Sequence, residues 1–103
     1  MKPIIIYSTF PSKEEAQKVS DLLLEQKLVA CTQLHKIESK FHWQGKLDTA
    51  EEYLMTCKTL CHKFKEIEQL IKANHSYFVP EIISVKIKHC SKAYQNWLKE
   101  TVR

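Results

Sequence analysis

The chain has 103 residues, of which 44% are apolar and 27% charged, with a formal net charge of +4. That length suits one compact domain over residues 1–103, and no segment approaches the roughly 20 apolar residues of a membrane helix. Of the sixteen basic residues only Arg103 is an arginine, and the lysines are interleaved with acids, which argues against a nucleic-acid partner. We therefore expect a cytoplasmic protein with no nucleic-acid, DNA or membrane partner.

The chain begins with a predicted strand and helix. Residues 3–8 form a β-branched and aromatic run that is typical of a buried strand. Ser12 and Glu15 fit a capping box, with Ser12 as the helix N-cap and Glu15 reaching back to its amide. Apolar residues then recur at helical spacing. The pattern predicts a helix that runs to about Lys27.

A long β-hairpin is predicted over residues 29–59. Its first strand begins with residues 29–37 and continues through Phe41 and Trp43, which share one face. Gln44-Gly45 predicts the turn, and residues 50–59 form the returning strand. The hairpin is longer than a core of this size requires, and its unpaired edges indicate subunit association.

The second half of the chain predicts a helix, a strand and a final helix. Residues 60–74 carry an apolar stripe, and Asn74 is expected to end that helix in a left-handed conformation. Pro80 prevents the helix from continuing. Residues 82–88 alternate as a fourth strand, and a short helix is expected at about residues 92–101. The order predicts an α+β fold, a ferredoxin-like βαββαβ sandwich with an extended β-hairpin and a C-terminal helix.

Cysteine and nucleophile patterns exclude several kinds of chemistry. The four cysteines contain no CxxC pair, which argues against a zinc ribbon or a thioredoxin motif. We expect Cys31, Cys57 and Cys90 to be free and buried as small hydrophobic residues. No nucleophile–base pair or acid–base dyad is visible. The sequence therefore predicts no catalytic activity.

The candidate ligands lie at the helix–strand junction, where His75 and Glu81 stand on either side of Pro80. Imidazole suits copper and zinc, and a loop fixed by Pro80 could bring both side chains to one cleft. Two structural alternatives stay open. His75 could cap the helix C-terminus, where a partly cationic ring is favoured, and Glu81 could form a surface or intersubunit salt bridge.

Residues 75–82, His-Ser-Tyr-Phe-Val-Pro-Glu-Ile, closely resemble the H-P-Y-x-x-P-E-I signature of the CutA (divalent-cation tolerance) family. Other blocks resemble the family in the same order and span nearly the whole chain. They are Ser8–Pro11 at the entry to helix one, Val29–Cys31, the hairpin block Ser39–Lys46, Glu52 with Lys58-Thr59, and Tyr94-x-x-Trp97-Leu98.

The resemblance implies a ferredoxin-like homotrimer whose extended hairpins pair between neighbours. It also implies divalent-metal binding, with Cu²⁺ the expected ion, and a role in the response to metal ions. His75 and Glu81 match the family's signature histidine and glutamate. Ser8 stands where some members have a cysteine implicated with copper, and since a hydroxyl binds copper less well than a thiolate, we expect weak binding.

An alternative also follows from the likeness in architecture to the PII signalling proteins. In that case the chain forms a signalling or scaffold trimer whose intersubunit cleft binds a small anionic metabolite or a partner protein. Lys40, Lys46 and Lys58 could then supply the cationic groups.

Overall fold

The computed structural model describes residues 2–103, so Met1, which the predicted domain includes, lies outside the described residues. These residues form four strands and three α-helices, with a 3₁₀ turn at Cys61–Lys63. In chain order they are β1 (Pro3–Phe10), α1 (Lys13–Glu25), β2 (Cys31–Trp43), β3 (Lys46–Leu60), α2 (Phe64–Asn74), β4 (Ile82–Lys86) and α3 (Lys92–Thr101).

The four strands form one sheet in the order β2-β3-β1-β4, and every neighbouring pair is antiparallel. Each helical crossover therefore skips one strand, so that β3 lies between β1 and β2 and β1 lies between β3 and β4. This split βαβ arrangement is the ferredoxin-like α+β fold. The predicted sandwich, with its extended hairpin and C-terminal helix, is confirmed.

The two faces of the sheet differ in their covering. On one face Ile4, Ile6 and Phe10 of β1 pack in a buried cluster with apolar side chains of α1 and α2. The intervening residues Ile5 and Tyr7 point to the other face, opposite Val85 and Ile83 of β4. That second face is the more open of the two, because Ile83 is 50% and Val85 43% exposed.

The hairpin extends well past the rest of the sheet. β2 pairs with β3 from Cys31 to Trp43, whereas β1 ends opposite Tyr53. The outer part of the hairpin is therefore a two-stranded ribbon, which gives the molecule its long dimension of 44 Å. Gln44 and Gly45 close it with φ values of 50° and 77°, and positive φ at both positions matches the twist of the strands. The predicted turn is correct, and the returning strand begins four residues before the predicted residue 50.

The helix ends show two departures from the prediction. α1 ends at Glu25, and Lys27 adopts φ 55° while the amides of Lys27 and Leu28 donate to the carbonyls of Leu24 and Leu23. This is a Schellman ending in which lysine takes the position that glycine usually occupies. The expected left-handed Asn74 is wrong: Asn74 closes α2 and donates through Nδ2 to the Leu70 carbonyl.

The predicted start of α2 at residue 60 is also wrong. Leu60 belongs to β3 and pairs with Pro3 at the end of β1, so the sheet continues to this point and the helix begins at Phe64. Tertiary pairing thus overrides the apolar spacing that predicted an earlier helix. Among residues 2–103, no helix has the length and apolar character needed to span a membrane.

The four cysteines are free thiols in different environments. Cys57 is buried, as predicted, and its burial, followed by the influence of Cys31, raises the pKa of this thiol to about 12. Cys31 and Cys90 are only half-buried, so the expectation that they are buried is wrong, and Cys61 is exposed.

Candidate functional site

His75 follows the end of α2, and its side chain has no exposed surface. The ring stacks on Phe10, with centroids 4.5 Å apart. Nε2 lies 2.7 Å from the carbonyl oxygen of Thr9, and Nδ1 accepts the amide N–H of Tyr77 at 3.0 Å. Because a carbonyl only accepts, these partners assign the proton to Nε2. Both ring nitrogens are therefore engaged by the backbone.

Glu15, in the first turn of α1, holds the same junction from the other side. Its carboxylate accepts the amide N–H of Ser76 at 3.0 Å, and Oε2 lies 3.4 Å from His75 Nδ1. Ser12 accepts the Glu15 amide at 3.2 Å, so the predicted N-cap is confirmed. The other half of the predicted capping box is wrong, because the Glu15 carboxylate serves residues 75 and 76 and not the amide of Ser12.

Tyr77 ties the junction to β3. Its hydroxyl donates to Glu52 Oε2 at 2.8 Å, and Glu52 is only 6% exposed. Burial, the hydrogen bond to Glu52 and the negative charges of Glu52 and Glu15 raise the pKa of Tyr77 to about 12. The segment between α2 and β4 is thus attached by side chains or backbone to β1, α1 and β3, although it contains no regular structure of its own.

An acidic cleft opens between this segment and the two-stranded outer part of the hairpin. It has a volume of about 780 Å³, within the usual range for a small-ligand site. Its polar walls carry carboxylates from both strands of the hairpin and from the loop, against a single lysine, Lys40. The acidic residues are Glu38, Asp48, Glu52 and Glu81, and the aromatic ones are Phe41, Trp43, Tyr77 and Phe78. The cleft therefore favours a cation over an anion.

The structure separates the two predicted metal ligands. Glu81 lines the acidic cleft, whereas the His75 ring is fully buried behind a shallow depression that Ser12 and Glu15 line. Within residues 2–103, no group of three or more His, Cys, Asp or Glu side chains is arranged to hold a metal ion. Ser8 is buried, and its Oγ has no hydrogen-bond partner among the described residues.

Sequence reasoning missed the residues that hold this junction. The signature contains Tyr77, and another block of the resemblance contains Glu52, but neither residue was given a role. The Thr9 carbonyl carries no signal in the sequence, because any residue supplies the same group. The one available clue was the presence of acids in the predicted strand 50–59, because a carboxylate that is buried in a sheet needs a hydrogen-bond partner.

A family model described as "CutA1 divalent ion tolerance protein" matches residues 4–101. The chain belongs to the CutA1 family. The divalent-cation tolerance protein CutA of Archaeoglobus fulgidus is 43% identical over 97 residues, which cover 94% of this chain and 95% of that protein. The CutA of Thermotoga maritima is 35% identical over 99 residues, covering 96% and 98%.

Solved CutA structures share the whole fold. The A. fulgidus CutA structure, described as periplasmic, has a TM-score of 0.96 at 42% identity and covers 98% of this chain and 99% of its own. CutA1 from Oryza sativa has a TM-score of 0.96 at 36% identity, covering 100% and 95%. A rice relative is described as chloroplastic. The family resemblance is thus confirmed, while CutA proteins occur in more than one compartment.

Proposed function

We propose that this CutA protein is a cytoplasmic homotrimer that binds divalent cations, Cu²⁺ among them, and takes part in the response to metal ions without a catalytic step of its own. The observation that carries the proposal is the acidic cleft, whose walls carry four carboxylates in a chain of net charge +4. Such a concentration of oxygen donors against the overall charge attracts a cation.

The open face and edges of the sheet support assembly. Ile83 and Val85 are half-exposed on β4, opposite Tyr7 and Ile5 on the face away from α1 and α2. β2 and β4 are both edge strands with unpaired backbone groups. Apolar residues near the hairpin tip, Trp43 and Leu47, are 47% and 69% exposed. A trimer in which each hairpin pairs with a neighbour would cover these surfaces.

The donor chemistry of the cleft gives a reason for Cu²⁺. At a given nitrogen and oxygen site, Cu²⁺ binds more tightly than the other divalent first-row ions. Glu81 is exposed in the cleft and can bind without rearrangement. His75 can act as a ligand through Nδ1 only if the Tyr77 amide releases it. We therefore assign the first contact to Glu81 and ligation by His75 to a rearranged, metal-bound state.

The alternative, an anionic metabolite in the same cleft, has less support. Of the three lysines that it would use, only Lys40 lines the cleft, and it faces four carboxylates there. The Lys58 ammonium donates to Gln33 on β2. An anion in this cleft would meet repulsion from the surrounding carboxylates.

Calorimetric titration of Cu²⁺ into metal-free protein tests the site. Saturable binding that weakens in Glu81→Gln and persists in Glu100→Gln, an exposed glutamate on α3, is the expected result. His75→Gln is run alongside, because it removes the imidazole that the rearranged state requires. Equal affinities in all four proteins would refute the assignment of Glu81 and His75.

The oligomeric state is tested separately by light scattering on the eluted protein. A mass three times that of the 12.2-kDa chain is expected. Ile83→Glu should reduce that mass, because it places a charge on the open face, whereas Lys13→Glu on α1 should not. A monomeric wild-type protein would contradict the proposed trimer.

A further inference from the structure

A second cavity lies at the opposite end of the sheet from the hairpin tip. It has a volume of about 670 Å³ and lies where the start of β1 meets the segment that joins β4 to α3. The Ile87 amide donates to the Pro3 carbonyl at 3.2 Å, so the two walls are joined by the backbone. The lining residues are Lys2, Pro3, Lys86, Ile87, Lys88, His89, Cys90 and Gln95.

The charge of this cavity has one sign. Lys2, Lys86 and Lys88 all line it, and among the described residues that form its walls none is acidic. All three lysines are exposed, and none takes part in the salt bridges found within residues 2–103. Their ammonium groups are therefore available to a ligand.

The start of α3 adds to the positive potential. α3 is a helix of ten residues whose N-cap Ser91 accepts the Tyr94 amide, and its first turn contains no acidic residue. Cys90 and Gln95, on either side of that N-cap, both line the cavity. The positive end of the helix dipole is thus close to the three lysines and is not offset by a carboxylate in that turn.

We propose that this cavity binds a small anion that carries two or more linked phosphate groups. Lysine ammonium groups are compact charges with three donors each, which can approach several phosphate oxygens from different directions. Planar bidentate recognition, for which arginine is suited, is not available here. The volume suits a small molecule, and a concave site differs from the extended basic stripe that a nucleic acid would need.

The choice of probe distinguishes a nucleotide from an inorganic polyphosphate as the ligand of this cavity. Inorganic diphosphate and triphosphate present the shared chemistry alone, whereas ADP adds a nucleoside that could contact the apolar wall of Pro3 and Ile87. Tighter binding of ADP than of diphosphate would support a nucleotide, and equal or weaker binding of ADP would support the inorganic ion. Either result is consistent with the site, because both depend on the same lysines.

The deciding experiment is a calorimetric titration of triphosphate into metal-free protein at low ionic strength. Lys86→Gln/Lys88→Gln should weaken binding roughly tenfold, from the loss of two partly solvated charge contacts. Lys13→Gln/Lys65→Gln removes the same charge from exposed positions on α1 and α2 and should retain most of the affinity. An equal loss in both variants, or no binding by the wild type, would overturn the proposal.

Amide chemical-shift mapping of the wild-type protein provides a test that needs no variant. Addition of triphosphate should shift the resonances of residues 86–90 and Gln95, and leave those of the acidic cleft unchanged. Shifts spread over all exposed lysines, or centred on Lys40, would instead indicate non-specific attraction and refute the site. The result is independent of the Cu²⁺ titration, because that titration concerns the other end of the molecule.

Discussion

The two ends of the molecule differ in charge and in the way their walls are held. Among the described lining residues, four carboxylates and one lysine surround the cleft at the hairpin end, whereas three lysines and no acid surround the cavity at the other end. The walls of the acidic cleft are fixed by buried side chains, His75 above all. The walls of the basic cavity are joined by a backbone hydrogen bond, and its lysines are exposed. A net charge of +4 conceals this separation, and substitutions at the two ends should have different consequences.

The largest effect is expected at the hairpin end, from His75→Ala. The substitution removes the stack on Phe10 and the hydrogen bonds to the Thr9 carbonyl and the Tyr77 amide. Loss of a buried ring together with its polar contacts should lower the free energy of unfolding by about 3 kcal/mol.

Urea unfolding at a fixed chain concentration measures this change, because assembly would make stability depend on concentration. His62→Ala, at an exposed position, is the control and should change stability by less than about 0.5 kcal/mol. If both variants unfolded at the same midpoint, the junction would be held by something other than the imidazole.

Thr59→Val tests the other end by removing one of the few buried side-chain hydrogen bonds there. Thr59 is fully buried, and its Oγ1 donates to the Leu28 carbonyl at 2.6 Å. Valine keeps the shape but leaves the carbonyl unpaired, which should cost about 2 kcal/mol. The exposed Thr49→Val on β3 is the matched control in thermal unfolding. If Thr59→Val lowered the free energy of unfolding as much as His75→Ala does, the two ends would not differ in how strongly their side chains stabilise the fold.

Tyr77→Phe should lower the free energy of unfolding by about 2 kcal/mol at neutral pH, since it leaves the buried Glu52 carboxylate without this hydrogen bond. It should also change the pH dependence. The pKa of Tyr77 is about 12 in the native protein, above the value of about 10 for an unfolded chain. Below pH 10 the phenol is protonated in both states; between pH 10 and 12 only the unfolded chain releases the proton, so wild-type stability falls with rising pH.

The readout for Tyr77 is the difference between the wild-type and Tyr77→Phe unfolding free energies from pH 8 to pH 12. Lysines titrate in the same range, and their effect cancels in the difference. The difference should narrow as the pH rises from 10 to 12, because the raised pKa stabilises the wild type only while the phenol is protonated. A constant difference across this range would contradict the raised pKa.

The smallest effect is a gain of up to about 1 kcal/mol from Lys27→Gly. Lys27 has φ 55°, a conformation that glycine adopts without the strain of a side chain. Lys18→Gly, inside α1, should instead lose about 1 kcal/mol because it weakens the helix. Calorimetric melting of the two variants should therefore move in opposite directions, and a destabilised Lys27→Gly would show that the lysine side chain contributes more than its backbone strain costs.

Local sequence patterns predicted the helices and strands well where no contact with a distant residue opposed the local periodicity. α3 lies at the predicted residues, and Ser12 caps α1 as expected. Predictions failed where a distant partner decided the outcome. Leu60 stays in β3 because Pro3 pairs with it, and Glu15 turns to Ser76, which is 61 residues away. The candidate site shows the same limit, since the signature pointed to His75 and Glu81 together but not to the burial of the His75 ring beside an exposed Glu81.

The long hairpin of β2 and β3 has a consequence for the order in which the chain folds. Its two-residue turn joins two strands that are adjacent in the sequence and form thirteen pairs, beginning with Trp43 and Lys46, and hairpins of this kind form within microseconds. The central strand β1 completes the sheet only when Ile4 pairs with Lys86, which lies across most of the chain. Closing so long a loop is slow, because it costs much conformational entropy. During refolding, the apolar tip is therefore presented to other chains before the core closes, so dilution should favour correct recovery over aggregation.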